Sequence, residues 1–377
     1  MVQYNIRDRI ERQEERLSPL AAKSRYSRGR GTQETPSPMR TDFQRDRDRV
    51  IHSKAFRRLK HKTQVFITPM GDHYVTRLTH TLEVAQIART IARALNLNED
   101  LTEAIALAHD LGHTPFGHAG EEALDAVFPQ GFRHNEQSLR VVDVLEKDGM
   151  GLNLTWEVRD GIVKHSKARE SITAEGWGVA ATLEGQIVKL ADSVAYINHD
   201  IGDAIRARVL TEEDLPRESI ELVGKDHSTR INTMVCDIVG SSWEAVKAEE
   251  NSLGQTAEDY ERNRRVIVEL ARKNKPLLSM SPAILEAVDS LREFLFQNVY
   301  TQSVARSESV KAKQLLQILY GHFCQHPEEI PEEFRVCCKS DSVERIVCDY
   351  VSGMTDRYAL KRFRELHFPT LWIDLGQ

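Results

Sequence analysis

Histidine is concentrated in one part of the chain. The sequence contains 14 histidines, and eight of them lie between residues 52 and 134. Imidazole is a metal ligand, and it also gains and loses a proton near neutral pH. The clustering therefore indicates a metal site or a proton-transfer site in the first half of the chain.

The dipeptide His109-Asp110 is the most informative part of this cluster. It ends an apolar helical stretch, with His80 on an earlier helical stretch and Asp192 on a later one. Two imidazoles and two carboxylates suit one divalent ion (Mn²⁺, Mg²⁺, Fe²⁺, Co²⁺ or Zn²⁺) and leave positions open for water and a phosphate oxygen. Because a His-Asp pair alone arises by chance in many proteins, the prediction of a metal site depends on all four residues.

The segment HDLGHTPFGHAGEEAL, which begins at His109, is unusual for a helix end. It holds three histidines, three glycines and a proline, whereas a structural helix end needs at most one glycine cap. His118 and Glu121 are three residues apart on the next predicted helix, so the carboxylate is expected to orient the imidazole for proton transfer. The alternative is a capped helix with His118 satisfied in the core.

Apolar periodicity predicts helices along most of the chain. The predicted helices cover residues 76–95, 99–111, 119–127, 135–147, 153–165, 180–208, 228–249, 257–273, 281–299, 303–323 and 341–364. Residues 63–75 predict a small β-hairpin, because β-branched and aromatic residues flank Met70-Gly71-Asp72. We therefore expect an all-α fold with one hairpin and a C-terminal helical half packed on the first.

Composition limits the class of protein. Of 377 residues, 40% are hydrophobic and 29% are charged, and no apolar run is long enough to span a membrane. The N-terminus lacks the apolar core of a signal peptide. Five cysteines without a C-x-x-C spacing indicate reduced thiols. A cytoplasmic protein that does not bind membranes is expected.

The N-terminal end is basic. Residues 1–60 hold 16 Lys+Arg and 8 Asp+Glu, whereas the whole chain has a net charge of −6. Residues 21–40 have little to bury, so residues 1–40 are predicted to be a basic, partly disordered arm that is either solvated or in contact with phosphate or nucleic acid. We expect a metal-dependent core over residues 41–210 and a C-terminal helical region over 211–377.

Several stretches together resemble one family, the HD-domain deoxynucleoside triphosphate triphosphohydrolases, or dGTPase-like proteins. The stretches are FQRDRDRVIHSKAFRRLKHKTQVF, RLTHTLEVAQIAR, ALAHDLGHTPFGHAGEEAL, FRHNEQSLR, LEGQIVKLADSVAYINHDI and DYVSGMTDRYAL. The resemblance implies the HD helical fold. It also implies metal-dependent cleavage of a dNTP at the α-phosphate, which yields deoxynucleoside and tripolyphosphate.

The resemblance also assigns roles to particular residues. The implied metal ligands are His80, His109, Asp110 and Asp192. The implied catalytic residues are His118, Glu121 and His134. The implied substrate-binding residues are Arg77 at a phosphate oxygen, Tyr196 against the sugar, and Asp200 and Gln64 at the 3′-OH. His113, His165, His199 and Asp203 lie in the same stretches without a firm role, and Lys60, Lys62 and Lys164 are candidates to face the triphosphate.

Two alternatives remain open at this point. One is another HD phosphohydrolase, either a 5′-nucleotidase or a phosphodiesterase; the other is a nucleotide-sensing or nucleic-acid-binding regulatory module. Members of the family commonly form oligomers, often hexamers, and some need a second nucleotide. The resemblance therefore implies a homo-oligomer with a second nucleotide or single-stranded nucleic acid as an effector.

Overall fold

The computed structural model describes residues 6–64, 74–166, 178–250, 253–254, 256–300, 303–337 and 340–369. These ranges are mostly helical and contain no β-sheet, which confirms the all-α prediction. Two isolated antiparallel bridges join Arg30 to Thr155 and Thr63 to Thr76. The second bridge is at the base of the predicted hairpin 63–75, whose residues 65–73 lie outside the described residues.

The helices are numbered in chain order. They are α1 (Ile6–Glu14), α2 (Asp42–Ile51), α3 (Lys54–Arg58), α4 (Arg77–Ala94), α5 (Glu99–Ala108), α6 (Gly117–Val127), α7 (His134–Arg140), α8 (Glu146–Gly149), α9 (Trp156–Lys164), α10 (Leu183–Arg206), α11 (Arg217–Val223), α12 (His227–Glu250), α13 (Ala257–Arg272), α14 (Pro282–Leu295), α15 (Ser303–Gln325), α16 (Glu332–Cys337), α17 (Val343–Ser352) and α18 (Asp356–His367). Short 3₁₀ segments are Ser24–Tyr26, Leu59–His61, Glu212–Asp214 and Pro327–Glu329, and π-helical segments are Val141–Leu145 and Phe296–Tyr300.

Capping residues determine where the helices that carry the site begin. Thr76 forms a capping box with Thr79 at the start of α4, so His80 lies in the first turn of that helix. Asn98 caps α5 and Thr182 caps α10 by accepting backbone N–H groups. Helices α4, α5 and α10 pack against one another, which brings residues distant in sequence to one place.

Two apolar clusters form the core of the described residues. The larger cluster joins α4, α5 and α10 to residues of α12 and α14 as far as Val299. The smaller one surrounds α6 with residues of α15, α17 and α18. The smaller cluster therefore combines residues 116–132 with residues 312–359, which lie far apart in the sequence.

The N-terminal segment lies against the body of the protein. Leu20, Ala21 and Ala22 are buried in the larger cluster, and the Glu184 carboxylate accepts the backbone N–H of Ala22 at 3.0 Å. Ion pairs join Arg7 to Asp42, Arg30 to Asp46, and Arg45 and Arg49 to Glu34. These arginines therefore neutralise acidic groups of the chain itself.

The C-terminal helices differ in one respect from the prediction. The predicted helix 341–364 is divided into α17 and α18, because the chain leaves the helix at Gly353 and Thr355 caps the new one. Among the described helices, none combines the length and the apolar character needed to cross a lipid bilayer.

Candidate active site

The dipeptide His109-Asp110 lies where α5 ends. The loop that follows is tied to α7, because Ser138 Oγ accepts from Gly112 N at 2.8 Å and donates to His109 O at 2.7 Å. A Cβ atom at Gly112 would lie 2.1 Å from the backbone nitrogen of Ser138. Glycine is therefore required at this position, and the close contact fixes the backbone that carries the dipeptide.

The structure brings the four predicted metal ligands together. His80 Nε2 lies 3.2 Å from Asp192 Oδ1 and 3.9 Å from Asp110 Oδ2. His109 Nε2 lies 3.4 Å from Asp110 Oδ1 and 4.0 Å from Asp192 Oδ1. Atoms that share one ion at about 2.0–2.2 Å are separated by similar distances.

His109 offers a nitrogen suited to a metal. Its Nδ1 contacts the carbonyl oxygen of Ala106 at 2.6 Å, so Nδ1 carries the hydrogen and Nε2 carries a lone pair. That Nε2 is buried and has no hydrogen-bond partner among the described residues. A buried acceptor without a donor is costly, so a divalent ion fits this donor set.

His199 of α10 contacts the Nδ1 atom of His80, and Asp200 of the same helix contacts His199. His80 Nδ1 lies 2.8 Å from His199 Nε2, and His199 Nδ1 lies 2.8 Å from Asp200 Oδ1. Burial lowers the pKa of His199, but the carboxylates of Asp200, Glu83 and Asp203 raise it, and the net shift of this pKa is upward. A chain of this kind orients the imidazole that faces a metal. Asp200, predicted to contact substrate, thus also supports His199.

Arg77 is buried beside the same ligands. Its Nη1 donates to Asp110 Oδ2 at 2.8 Å. Burial alone would raise the pKa of Asp110, but His109, His113 and Arg77 lower it well below its usual range. Asp110 is therefore held as a carboxylate, the form that binds cations.

A second group of histidines also lies near Asp110, with His113 Nε2 3.3 Å from Asp110 Oδ1. The rings of His113 and His134 stack with centroids 4.1 Å apart, and His134 Nε2 lies 3.2 Å from His165 Nε2. Burial lowers the pKa of His165 to about 3, so this imidazole is neutral at physiological pH. Asp110, His113 and His134 form a further set of ligand atoms within 4.8 Å of one another.

Glu121 contacts His134 more closely than His118. Its Oε1 lies 3.0 Å from His134 Nδ1 and accepts from His134 N at 2.9 Å, whereas His118 Nδ1 is 3.8 Å from Oε2. The His118 side chain is 76% exposed. The predicted pairing of His118 with Glu121 is thus weaker than the pairing of Glu121 with His134.

The predicted sugar contacts lie along α10 and beside α4. Tyr196 is half-buried on α10, and burial raises its pKa although the nearby charge of Arg292 acts in the opposite direction. Gln64 Oε1 is buried and lacks a hydrogen-bond partner among the described residues. A Cβ at Gly117 would lie 3.1 Å from the Gln64 carbonyl oxygen and 3.1 Å from Arg77 Nη2, so Gln64 borders the site.

The three candidate lysines have different surroundings. Lys62 is buried and donates to the carbonyl oxygens of His113 and Ser352, and burial lowers its pKa to about 7. Lys164 pairs with Asp160 at 2.7 Å, and Lys60 is exposed. The ammonium groups of Lys62 and Lys164 therefore already contact carbonyl or carboxylate oxygens of the protein.

Comparisons with known proteins agree with this geometry. A model of the HD domain matches residues 77–197, and a model of the phosphohydrolase-associated domain matches residues 278–365. A deoxyguanosinetriphosphate triphosphohydrolase-like protein of Caldanaerobacter subterraneus is 54% identical over 95% of this chain and 94% of its own length. One from Desulfatibacillum aliphaticivorans is 47% identical over 97% and 99%, respectively. The chain belongs to the deoxyguanosinetriphosphate triphosphohydrolase-like family.

Membership of this triphosphohydrolase-like family confirms the resemblance seen in the sequence and makes the protein a hydrolase. The matched HD segment begins at Arg77 and ends at Ile197, so it contains the buried His/Asp group. Arg292 lies within the second matched segment. The two matched segments therefore both contribute to the surroundings of Tyr196.

Four residues of the candidate site were missed or left without a role by the sequence. His113, His165 and His199 contact other histidines of the site, which lie on other helices or loops. Arg292 comes from α14, far along the chain from Tyr196. Residue spacing within one helix cannot reveal such neighbours, because these contacts form only when different helices pack together.

Proposed function

We propose that the protein is a metal-dependent triphosphohydrolase of deoxynucleoside triphosphates of the dGTP type, cleaving at the α-phosphate. Water adds to the α-phosphorus, the bond from phosphorus to the 5′ oxygen breaks, and the 5′ oxygen takes a proton, so deoxynucleoside and tripolyphosphate are released. The observation that carries the proposal is the buried group of His80, His109 and Asp110, with Asp192 and Arg77 in contact with it.

The proposed ligands hold one divalent ion, which can be Mn²⁺, Mg²⁺, Fe²⁺, Co²⁺ or Zn²⁺. Such an ion supplies Lewis acidity at a phosphoryl oxygen and lowers the pKa of water. Arg77 adds a fixed positive charge on the same side, because its guanidinium is held by Asp110. A guanidinium in this position can bind an α-phosphate oxygen while it keeps its contact with the carboxylate.

Proton transfer is assigned to Glu121, His134 and His118. The Glu121 carboxylate orients His134 by accepting its Nδ1–H, so Nε2, which lies 3.2 Å from His165 Nε2, is the nitrogen proposed to move a proton at the substrate. His118 is exposed, and its Nδ1 lies 3.8 Å from Oε2 of the same carboxylate. It is the second histidine that we propose to act at the α-phosphate. Proton transfer of this kind contributes about 10²–10⁴-fold to a rate.

Recognition of deoxyribose is assigned to Tyr196, Asp200 and Gln64. The Tyr196 ring packs against the sugar and disfavours a 2′-hydroxyl by steric overlap. Asp200 accepts the hydrogen of the 3′-OH, and the Gln64 side-chain amide donates from Nε2 to the oxygen of the same hydroxyl, because a hydroxyl has one hydrogen and two lone pairs.

Product analysis tests the proposed reaction. The purified protein is loaded with Mn²⁺ or Mg²⁺, incubated with each dNTP and with GTP, and the products are identified by anion-exchange chromatography and phosphorus NMR. Deoxynucleoside with tripolyphosphate from dGTP is expected, with little turnover of GTP. Pyrophosphate or stepwise phosphate release would contradict cleavage at the α-phosphate.

A phosphodiesterase is the second candidate. The additional set Asp110, His113 and His134 shares a carboxylate with the first group, so two ions could be bridged by Asp110. Turnover of bis(p-nitrophenyl) phosphate with two Mn²⁺ per chain would favour this reaction. One Mn²⁺ per chain and no diester turnover would favour the triphosphohydrolase.

We also propose how the protein is organised and assembled. Residues 1–40 form an arm, 41–210 the metal-dependent core and 211–377 a C-terminal helical region. The chain forms a homo-oligomer, with a hexamer as the model to test, and takes a second nucleotide or single-stranded nucleic acid as an effector. Light scattering with and without mixed dNTPs tests the assembly; a monomer under both conditions would contradict it.

A further inference from the structure

We propose that Lys62 is a positioning residue, whose ammonium group holds the loop after His109-Asp110 and through that loop orients His134. This inference deepens the proposed hydrolysis and rests on it. Lys62 is 2% exposed, so its side chain is enclosed by the protein. The sequence makes this lysine a candidate to face the triphosphate, whereas its contacts point to a different task.

The Lys62 ammonium joins two segments that lie far apart in the sequence. Its Nζ donates to the carbonyl oxygen of His113 and, at 2.9 Å, to that of Ser352. The first carbonyl is in the loop between α5 and α6, and the second is in the last residue of α17. The last carbonyl groups of a helix lack partners within the helix and carry partial negative charge, so a cation is favoured there. Lys62 therefore ties the loop to the end of α17.

The backbone of Lys62 is fixed to the start of α4. Its carbonyl oxygen accepts from Arg77 N at 3.2 Å, and the next residue, Thr63, forms the bridge to Thr76. Helix α4 carries Arg77 and His80, which are both residues of the candidate site. The ammonium group of Lys62 thus has a defined place relative to α4, and the loop is held relative to that helix.

His113 connects Lys62 to the residue proposed for proton transfer. The His113 imidazole stacks on that of His134, with an angle of 13° between the ring planes. Its Nε2 lies 3.3 Å from Asp110 Oδ1. Because the carbonyl and the ring belong to one residue, a shift of the carbonyl away from Lys62 also moves the ring that packs on His134.

The two acceptors of Lys62 are in buried residues. Removing the ammonium leaves the carbonyl oxygens of His113 and Ser352 without this donor. A buried acceptor that loses its partner is costly, by about 1–3 kcal/mol, so the loop is expected to shift toward another donor or toward water. Methionine has nearly the shape of lysine but no N–H group, so Lys62→Met removes the donor and largely keeps the packing.

Arg58 provides a matched control in the same place. Its Nη1 donates to the carbonyl oxygen of Gly353 at 3.0 Å, immediately after the residue that accepts from Lys62. Arg58→Met therefore removes a cation from the end of α17 but keeps the bond from Lys62 to His113. A difference between the two variants reports on the loop and not on α17 alone.

Steady-state kinetics of the Mn²⁺-loaded, full-length protein with dGTP tests the role. Lys62→Met is expected to lower kcat by about 10- to 100-fold, because small displacements of catalytic groups are costly, while KM stays close to that of wild type. Lys62→Arg keeps a cationic donor and should recover part of kcat, and Arg58→Met should keep it. A rise in KM with unchanged kcat would place Lys62 at the triphosphate and overturn the proposal.

A chemical readout tests the positioning without any turnover. Diethyl pyrocarbonate acylates accessible imidazoles, and mass spectrometry of peptides measures its reaction at each histidine. His113 is buried and the His134 side chain is 13% exposed, so both should react faster in Lys62→Met than in wild type. The buried His80 should stay protected, and His118, whose side chain is 76% exposed, should react equally in both proteins.

This readout separates the inference from the proposed hydrolysis. If wild type releases no tripolyphosphate but Lys62→Met still exposes His113 and His134 selectively, the proposed function fails and the positioning role stands. Wild-type kcat together with wild-type protection of both histidines in folded Lys62→Met would overturn the inference. If Lys62→Met does not fold, Lys62→Gln, which keeps a shorter and neutral donor, is measured in the same way and judged by the same outcomes.

Discussion

Asp192 connects α10 to the ligands carried by α4 and α5, and its contact with His80 is 3.2 Å long. Replacing Asp192 with alanine removes one of two carboxylates from the proposed set. We expect Asp192→Ala to lose most of its Mn²⁺ and its activity, because charge neutralisation and ligand count both decrease. Metal analysis after desalting checks this, with Glu122→Ala as an exposed-carboxylate control on α6. Undiminished Mn²⁺ would exclude Asp192 from the ligands.

Loss of His134 should affect turnover, whereas loss of a proposed metal ligand should also affect metal content. The contact of His134 with Glu121 indicates a proton-transfer role, so His134→Ala should lower kcat by about 10²–10⁴-fold and keep Mn²⁺. His118→Ala should also lose about 10²-fold or more in kcat. Steady-state kinetics and metal content measure both, with the exposed His61→Ala as control. Wild-type kcat in either variant would remove that histidine from catalysis.

The helices that carry the site follow from local patterns, whereas their neighbours do not. Apolar periodicity and caps such as Thr76 and Asn98 are properties of short stretches, so α4 and α5 are close to the predicted ranges. The dipeptide His109-Asp110 is likewise recognisable from the residue types of one short segment. The contact of His165 with His134 depends on how α9 packs beside α7, and no spacing within one helix encodes it.

The N-terminal segment is joined to α10 through a buried carboxyl group. Glu184 Oε1 accepts from Ala22 N and Asn98 N, both at 3.0 Å, while Oε2 is buried and has no hydrogen-bond partner in the described part of the chain. Burial raises the pKa of Glu184 from 4.5 to about 7. Because the folded-state pKa is the higher one, its contribution to stability is complete below about pH 4.5 and is lost as the pH rises to about 7.

The substitution Glu184→Gln keeps an oxygen that can accept from Ala22 N and Asn98 N, but it removes the carboxyl group that titrates. We expect its free energy of unfolding at pH 8 to equal or exceed that of wild type. One such group contributes a slope of at most roughly 1.4 kcal/mol per pH unit. Burial also raises the pKa of Glu14 to about 7, and Glu14 remains in the variant, so the decline from pH 5 to 7.5 should become smaller without disappearing. Urea denaturation at several pH values measures it; an unchanged decline would contradict the assignment.

At the scale of the whole molecule, the C-terminal helices hold the loops that border the site. The first residue of α18, Asp356, accepts from Thr63 N at 2.9 Å and from Phe116 N at 3.0 Å. Phe116 has a left-handed backbone, with φ of 60°, immediately before α6 begins. Asp356 therefore stabilises a strained turn that positions His118 and Glu121, although it lies far from them in sequence.

The substitution Asp356→Ala tests whether α18 supports the turn before α6, and through it the catalytic residues. Loss of these hydrogen bonds should lower the free energy of unfolding by about 1–3 kcal/mol and lower kcat by about 10- to 100-fold, because small displacements of catalytic groups are costly. Mn²⁺ content should not change, since the side-chain hydrogen bonds of Asp356 go to Thr63 and Phe116, neither of which is a proposed metal ligand. Asp356→Asn, which retains one acceptor, should recover part of kcat, and Glu344→Ala, an exposed carboxylate on α17, should behave as wild type. If Asp356→Ala lost stability but kept full kcat, α18 would support the fold alone and the turn at Phe116 would not depend on it.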